Sequence, residues 1–488
     1  MNIIGRKEEL GKLSRILESR DPEFLALYGR RRIGKTFLIR NFFVDKDNII
    51  FFDVTGEKKA SLRKQIQHFT QRIGHVFYNG ARLESVKNWD ETFELLTNAI
   101  ATVSQGKKII IFMDEFPWMA TKNSKLLESL DYYWNQHWSK DKRIKLIICG
   151  SSASWIIDKI VDNKGGLHNR LTEKINLSPF NLTDTKKFLN HVGIHLSNRH
   201  ILEIYMVMGG VPYYLTKIEK GLSATQNIEQ LTFRKNSFFL DEFNNLFSSL
   251  FDDSEIYIEI LRHIAKHRYG IGQAELLKKM GTALQGKSGM RKLKALEDTG
   301  FIFGFTPYFH KKKGLYYKVI DEYTLFYFYW IEPIKQTLLK KGLTKDYWIK
   351  NHLSSSWYSW SGFAFEAICY EHLSEITDSL NLGSISVPNT WQYKPRKETK
   401  ETGVQIDLLF DRDDDSITLC EIKYTQDPFT INKKEFLKLK EKLKIFREVT
   451  RTRKQIFTAL ISANGVKKNL YLDEIVDGGI VTMEDLFK

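Results

Sequence analysis

Leu25-Ala26-Leu27-Tyr28-Gly29-Arg30-Arg31-Arg32-Ile33-Gly34-Lys35-Thr36 is the stretch that decides how this chain is read. An apolar run leads into a Gly-x-x-x-x-Gly-Lys-Thr loop, and Phe37-Leu38-Ile39-Arg40 continues with a helical pattern. A phosphate-binding loop requires this order. A strand delivers a glycine turn, and the turn opens a helix whose free N–H groups and positive dipole end face anionic oxygens. Gly29 and Gly34 permit close backbone approach. Lys35 can reach β- and γ-phosphates, and the Thr36 hydroxyl suits Mg²⁺. Arg30, Arg31 and Arg32 either add charge at the phosphates or form a solvated surface.

Working outward, apolar residues at Leu10, Leu13, Ile16 and Leu17 predict a helix that ends near Asp21-Pro22. A strand from Phe24 to Tyr28 follows, then the loop, then a helix to about Phe43. A strand is predicted from Ile49 to Val54, and residues 60–105 read as helices with polar breaks. The run from Ile109 to Met113 predicts a buried strand with Asp114 and Glu115 at its exit. In a parallel sheet that exit adjoins the phosphate loop. Asp114 is then placed to hold Mg²⁺ and Glu115 to polarise the attacking water. A further strand precedes Cys149-Gly150-Ser151-Ser152, which puts Ser151 beside the same site as a candidate γ-phosphate sensor.

These motifs together resemble the archaeal-type ATPase family, within the AAA+-like and signal-transduction (STAND) NTPases. The matching residues are Ile4-Gly5-Arg6-x-x-Glu9-Leu10, the glycine loop, Asp114-Glu115 and Cys149 to Ser152. The match continues through Asn169-Arg170-Leu171-Thr172, Ile175-x-Leu177-x-Pro179-Phe180 and Gly209-Gly210-Val211-Pro212-Tyr213. It covers about residues 1–240. The resemblance implies an ATP-binding α/β fold with a helical lid, with Gly5 and Arg6 near the adenine. It also implies that Arg170 acts on the γ-phosphate, in cis or from a neighbouring subunit of a homo-oligomer. Related initiator ATPases carry an arginine after the paired glycines of the lid. Pro212 follows Val211 here, so that arginine is missing, and switch-like use of ATP is expected over continuous motor work.

The chain has 488 residues, so roughly three domains are expected. Composition is that of a globular protein, 42% hydrophobic and 27% charged. No run has the ~18 apolar residues of a membrane span, and the amino end does not read as a secretion signal. Cys149, Cys369 and Cys420 are far apart, which argues against a disulfide framework or zinc site and fits a reducing cytoplasm. The formal charge of +15 favours a polyanionic partner such as DNA.

Residues 215–250 read as helical and rich in phenylalanine. Amphipathic helices are then predicted from Ile256 to Ile264, Ala274 to Met280 and Met290 to Leu296. Strands beginning at Phe301 and from Tyr316 to Ile320 flank the basic turn Lys311-Lys312-Lys313-Gly314. Three helices and a hairpin are the order of a winged helix. Lys287, Arg291, Lys292 and Lys294 on its third helix could meet phosphates or base edges, or remain a solvated face. The aromatic segment from Tyr323 to Trp330 reads as packing domains together rather than stacking bases.

In the last third, Trp360 to Cys369 predicts a helix bearing Glu366, and a strand is expected from Pro388 to Tyr393. Gly403 to Phe410 and Ile417 to Tyr424 read as paired strands. Glu421 and Lys423 are two residues apart and share a face, and antiparallel pairing brings Asp407 towards them. Two carboxylates and an amine in this arrangement suit a divalent metal and an oriented water. The pattern resembles the PD-(D/E)XK nuclease core. That resemblance implies Glu366, Asp407 and Glu421 as Mg²⁺ or Mn²⁺ ligands, with Asp407, Glu421 and Lys423 catalytic. Residues 433–454 hold ten Lys or Arg against three Glu, a balance of +7 on a helix with an apolar stripe. Such a face could hold a phosphate backbone.

The expectation is therefore four domains: an ATPase core (1–180), a helical lid (181–250), a winged helix (251–335) and a restriction-endonuclease-like α/β domain (355–488). ATP and Mg²⁺ bind at Lys35, Thr36 and Asp114, and the remainder contacts DNA. Two rivals stay open: a regulatory ATPase whose carboxyl-terminal domain binds without cleaving, and an ATP-driven oligomeric signalling scaffold.

Overall fold

In the computed structural model, the apolar run before the glycine loop is a strand, β1 (Glu23–Tyr28). All residues are described except 1, 45, 162–166, 285, 309–313, 342–345, 384–385 and 394–402. The chain divides into two compact units, Met1–Pro179 with Ser249–Phe251 and Phe180–Ser248 with Asp252–Lys488. No helix among the described residues is long and apolar enough to cross a membrane.

In the first unit β1 joins β2 (Ile49–Thr55), β3 (Lys108–Asp114), β4 (Ile144–Gly150) and β5 (Glu173–Asn176). Every pairing is parallel and the order is β2-β3-β4-β1-β5. Parallel sheets are covered by helices on both faces, so their strands read as continuous apolar runs. Alternate residues supply the two cores. Phe24, Ala26, Ile109, Ile111, Leu146 and Ile148 pack on one side. Leu25, Leu27, Ile110, Phe112, Ile147 and Cys149 pack on the other. β5 was not foreseen. It is four residues long at the sheet edge, and only Ile175 of the four is buried, too weak a periodicity to register in sequence.

The second unit begins with helices Leu182–His191 and Asn198–Met208, capped by the side chains of Asn181 and Ser197. The stretch expected as a lid, up to residue 248, belongs to this unit. Its anchors lie on the end of the helix Ser355–Glu371. His372 Nε2 accepts the Leu182 N–H at 3.0 Å, and the Tyr205 hydroxyl lies 3.2 Å from Glu371. Gly210 lets the chain pass the Phe180 backbone, where an added Cβ would sit 1.7 Å from the Phe180 carbonyl oxygen. The aromatic segment packs within this unit. Tyr323, Phe326, Tyr327 and Trp330 are buried, and Tyr327 stacks on Phe243 at 3.7 Å between ring centroids.

Helices Ser254–Ala265, Gln273–Met280 and Gly286–Asp298 follow. They frame a small antiparallel sheet of β6 (Ile271–Gly272), β7 (Ile302–Phe305) and β8 (Tyr316–Val319), in the order β6-β8-β7. β6 is an addition to the expected hairpin. The basic turn at Lys311, Lys312 and Lys313 lies outside the described residues. The last sheet holds β9 (Ser386–Tyr393), β10 (Val404–Arg412), β11 (Ser416–Lys423), β12 (Gln455–Ser462) and β13 (Gly479–Thr482). β9, β10 and β11 pair antiparallel, while β11-β12 and β12-β13 are parallel. The helix Lys433–Thr450 is the crossover between β11 and β12.

Gly210→Ala should therefore cost about 1–3 kcal/mol through overpacking. Gly362→Ala, inside a helix with its nearest outside neighbour 3.7 Å away, should gain about 0.5–1 kcal/mol. Chemical denaturation of the two variants reads both signs.

Candidate functional site

Strand order builds the first site. β4 lies between β3 and β1, so the ends of these three strands deliver Asp114, Ser151 and the glycine loop to one edge. Gly29 has φ +143° and Gly34 φ +90°. A Cβ on Gly29 would stand 2.2 Å from the Leu177 carbonyl oxygen, so only glycine fits there. Lys35 opens the helix Lys35–Phe43, and its buried ammonium donates to the carbonyls of Gly29 at 2.8 Å and Arg30 at 2.9 Å. The loop thus wraps its own cation. The Thr36 hydroxyl donates to Asp114 Oδ2 at 2.7 Å, joining the two motifs across 78 residues.

Glu115 takes a left-handed backbone, φ +45°, which turns its side chain towards Ser151. Its Oε2 accepts the Ser151 N–H at 3.1 Å and the hydroxyl at 2.9 Å. The carboxylate expected to polarise water is thus held by the residue expected to sense phosphate. Arg6 is buried, caps its helix with φ +61°, and donates to the Ile33 carbonyl at 3.3 Å. Gly5 precedes it, also at positive φ, so both lie beside the loop. Arg170 is exposed on the short turn His168–Arg170. A hydroxyl and a carboxylate in contact are the hard oxygen donors that Mg²⁺ prefers, and the Thr36–Asp114 pair fits that ion.

The second site lies on β10 and β11. Leu408 pairs with Cys420, so Asp407 and Glu421 come next to each other one step further. Asp407 Oδ2 accepts the Ile422 N–H at 3.2 Å. Burial, followed by the charges of Glu421 and Glu366, pushes Asp407 up to about 7. Burial also works against Glu421, but Lys423 and Lys442 hold it below the usual carboxylate range. Their ammonium groups each lie 2.6 Å from a separate Glu421 oxygen. Burial lowers Lys423 too, and the Glu421 charge outweighs it. Lys442 comes from the Lys433–Thr450 helix. Sequence showed it only as one of ten basic residues there.

Glu366 does not point at open space. It is buried and 3.3 Å from Lys318 of β8. Burial pulls Lys318 below the usual lysine range, and Glu366 opposes the shift. Nothing in the sequence marked Lys318 beyond its place between Tyr317 and Val319. Lys318 meets Glu366 and both Lys423 and Lys442 meet Glu421, while Asp407 is held by a backbone N–H. Among the described residues no three His, Cys, Asp or Glu side chains converge as a cation cage. A divalent metal therefore does not fit the pocket as arranged here.

Residues 3–218 match the family described as an ATPase domain predominantly from Archaea. An uncharacterized protein of Methanocaldococcus jannaschii is 28% identical over 460 residues, 93% of this chain and 92% of its own length. An uncharacterized ATP-binding protein of the same organism is 46% identical over 43 residues, 9% of this chain and 73% of its own length. Among solved structures, the Walker-type ATPase of Pyrococcus abyssi is 20% identical with a TM-score of 0.47, covering 67% of this chain and 96% of that one. The Aeropyrum pernix ORC2 protein, in ADPNP–ADP complexes, is 14% identical with a TM-score of 0.42, covering 69% and 95%.

The Asp407 carboxyl ordinarily titrates at 3.8. From about pH 4 to about pH 7 the folded state keeps a proton that the unfolded state has released. Stability from this group is full below about pH 4 and is lost as pH rises to about 7. Asp407→Asn keeps an acceptor for Ile422 without the charge. It should melt above wild type at pH 8 by roughly 2–8 °C and match it at about pH 4, as read by thermal unfolding.

Proposed function

We propose a function from one premise: residues 3–218 are an ATPase domain of the predominantly archaeal family. ATP binding and hydrolysis there act as a switch on a DNA-contacting, nuclease-like carboxyl-terminal module. The observation that carries the nucleotide reading is the join of Lys35, Thr36, Asp114 and Glu115 at one sheet edge.

In this reading Lys35 leaves the Gly29 and Arg30 carbonyls for the β- and γ-phosphate oxygens. Thr36 and Asp114 would hold Mg²⁺, which when bound would supply charge neutralisation at the phosphates. Ser151 exchanges its two donors from Glu115 to the γ-phosphate, and the freed carboxylate orients the attacking water and takes its proton. Gly5 and Arg6 border the adenine, and Arg170 meets the γ-phosphate of its own or a neighbouring subunit.

The second unit supplies the response. Three helices with the β6-β8-β7 sheet support a winged helix, with Lys287, Arg291 and Lys294 exposed on its third helix. The β9–β13 sheet with Asp407, Glu421 and Lys423 supports a PD-(D/E)XK-like core. Lys434, Lys438, Lys444 and Arg447 are exposed on the helix beside it, where they meet the phosphate backbone. Coupling between the units is motivated by their order in one chain. The lysine pairing of Glu366 and Glu421 favours a second reading, in which the module binds DNA and does not cleave it.

Steady-state ATP turnover tests the switch. Lys35→Ala should weaken ATP binding at least tenfold. Glu115→Gln should keep binding and lose about 10²–10⁴-fold in turnover, and duplex DNA should stimulate wild type. Unimpaired turnover by Glu115→Gln would remove the assignment. Plasmid nicking in Mg²⁺ or Mn²⁺ separates the two readings of the module. Nicking that disappears in Asp407→Ala supports cleavage, and equal activity supports binding alone.

A further inference from the structure

The basic residues of the Lys433–Thr450 helix sort onto separate flanks. Phe436, Leu439 and Phe446 are buried and turn one side of the helix to the core. Lys433, Lys440, Lys444 and Arg447 are all exposed. At 100° per residue they fall within about 60° of one another, with no acid among them. Lys442 lies between about 140° and 200° away from them, on the flank that reaches Glu421. The outer crest between the two flanks is mixed. Lys434 and Lys438 share it with Glu441, Glu448 and the exposed Leu437 and Val449. The row of four cations runs about 21 Å along the helix and is turned away from the acidic pocket.

This row borders a cavity of about 580 Å³, lined by Lys440, Lys444 and Arg447 of the helix and by Gln455, Ile456 and Thr458 of β12. The Gln455 N–H donates to Asp415 and the Ala463 N–H to Lys423, so odd-numbered residues of β12 bond to β11. Even-numbered residues face the β13 side. There the Thr458 carbonyl accepts the Gly478 N–H, and the Thr458 N–H donates to the Asp477 carboxylate at 2.7 Å. β13 begins at Gly479, opposite Ala459. The Ile456 N–H therefore faces the cavity beyond the end of β13. Three acids also line the cavity. Asp477 is engaged by Thr458, while Glu474 meets Lys440 at 2.6 Å and Glu448 meets Lys444 at 4.0 Å. Both ion pairs are solvent-exposed, contribute little to stability and yield readily to a phosphate. Arg447 has no ion pair among the described residues.

We propose that the module holds DNA on this flank and not at the acidic pocket: Arg447 and the Ile456 N–H take one backbone phosphate in the cavity, and Lys444, Lys440 and Lys433 follow the strand along the helix. The inference rests on the DNA-contacting reading of the module and favours its form without cleavage. A guanidinium and a backbone N–H are the donors that fix a phosphate in place, and a lysine row adds sequence-independent attraction. On the opposite flank, Lys442 and Lys423 already fill both oxygens of Glu421. A strand seated on the row therefore passes the module without presenting a phosphodiester to Asp407 and Glu421.

The test is fluorescence anisotropy of a labelled duplex DNA with the full-length protein, in EDTA and across a series of salt concentrations. The double variant Lys444→Ser/Arg447→Ser should lose at least tenfold in affinity, and its log–log salt slope should flatten by about 2. Lys434→Ser/Lys438→Ser, on the crest, should stay within threefold of wild type with an unchanged slope. All four residues are exposed, so both variants should keep the wild-type melting temperature. Wild-type affinity and slope in Lys444→Ser/Arg447→Ser overturns the flank and leaves the DNA reading standing on other residues. A loss in the crest variant as large as in the flank variant also overturns it, because the strand then lies across the helix. Absence of DNA binding by the wild type at low salt overturns the flank together with the DNA-contacting reading.

Discussion

The 2.7 Å contact between Thr36 and Asp114 is the constraint on which the amino-terminal half is built. Two residues 78 positions apart meet only if their strands end at the same edge of a parallel sheet. That geometry demands a sheet buried on both faces, and hence the unbroken apolar runs of β1, β3 and β4. Polar side chains are excluded along the strands and admitted at their ends. Concentrating chemistry at strand carboxyl ends is thus a consequence of burial, and the crevice beside reversing strand order is where a ligand reaches it.

The second unit solves a different problem. Its carboxylates are buried, and a buried carboxylate is costly without a partner. Each site acid is answered differently. Glu421 has two lysines and is held ionised. Glu366 has a lysine borrowed from β8. Asp407 has a backbone N–H and is driven towards its neutral form. Each of these acids thus has a partner within the protein. The same logic appears in the first unit on a smaller scale. Lys35 rests on loop carbonyls and Glu115 on Ser151, so both charged groups are hydrogen-bonded within the unit.

Much of this was legible in the linear chain. Strands β1, β3 and β4 are apolar runs closed by glycine or acid. The helices of the middle segment carry clean 3.6-residue stripes, and the β10-β11 pair shows two-residue alternation around an acidic turn. Strands β5 and β6 were not legible, because edge strands of four and two residues bury too little for periodicity to show. Gly209 and Gly210 looked like a family signature alone. In the fold, Gly210 is the point where the Phe180 backbone passes.

The sequence by itself determined the phosphate loop, the acidic strand exit, the basic excess and the Asp407, Glu421 and Lys423 set, since each depends on spacing within one or two elements. Only the tertiary structure decided that Ser151 holds Glu115, that Lys442 shares Glu421, and that Lys318 claims Glu366. Those contacts join residues 36, 21 and 48 positions apart. They form because burial forces each charge to find a hydrogen-bonding or oppositely charged partner, and which partner lies within reach is a property of packing that no local pattern encodes.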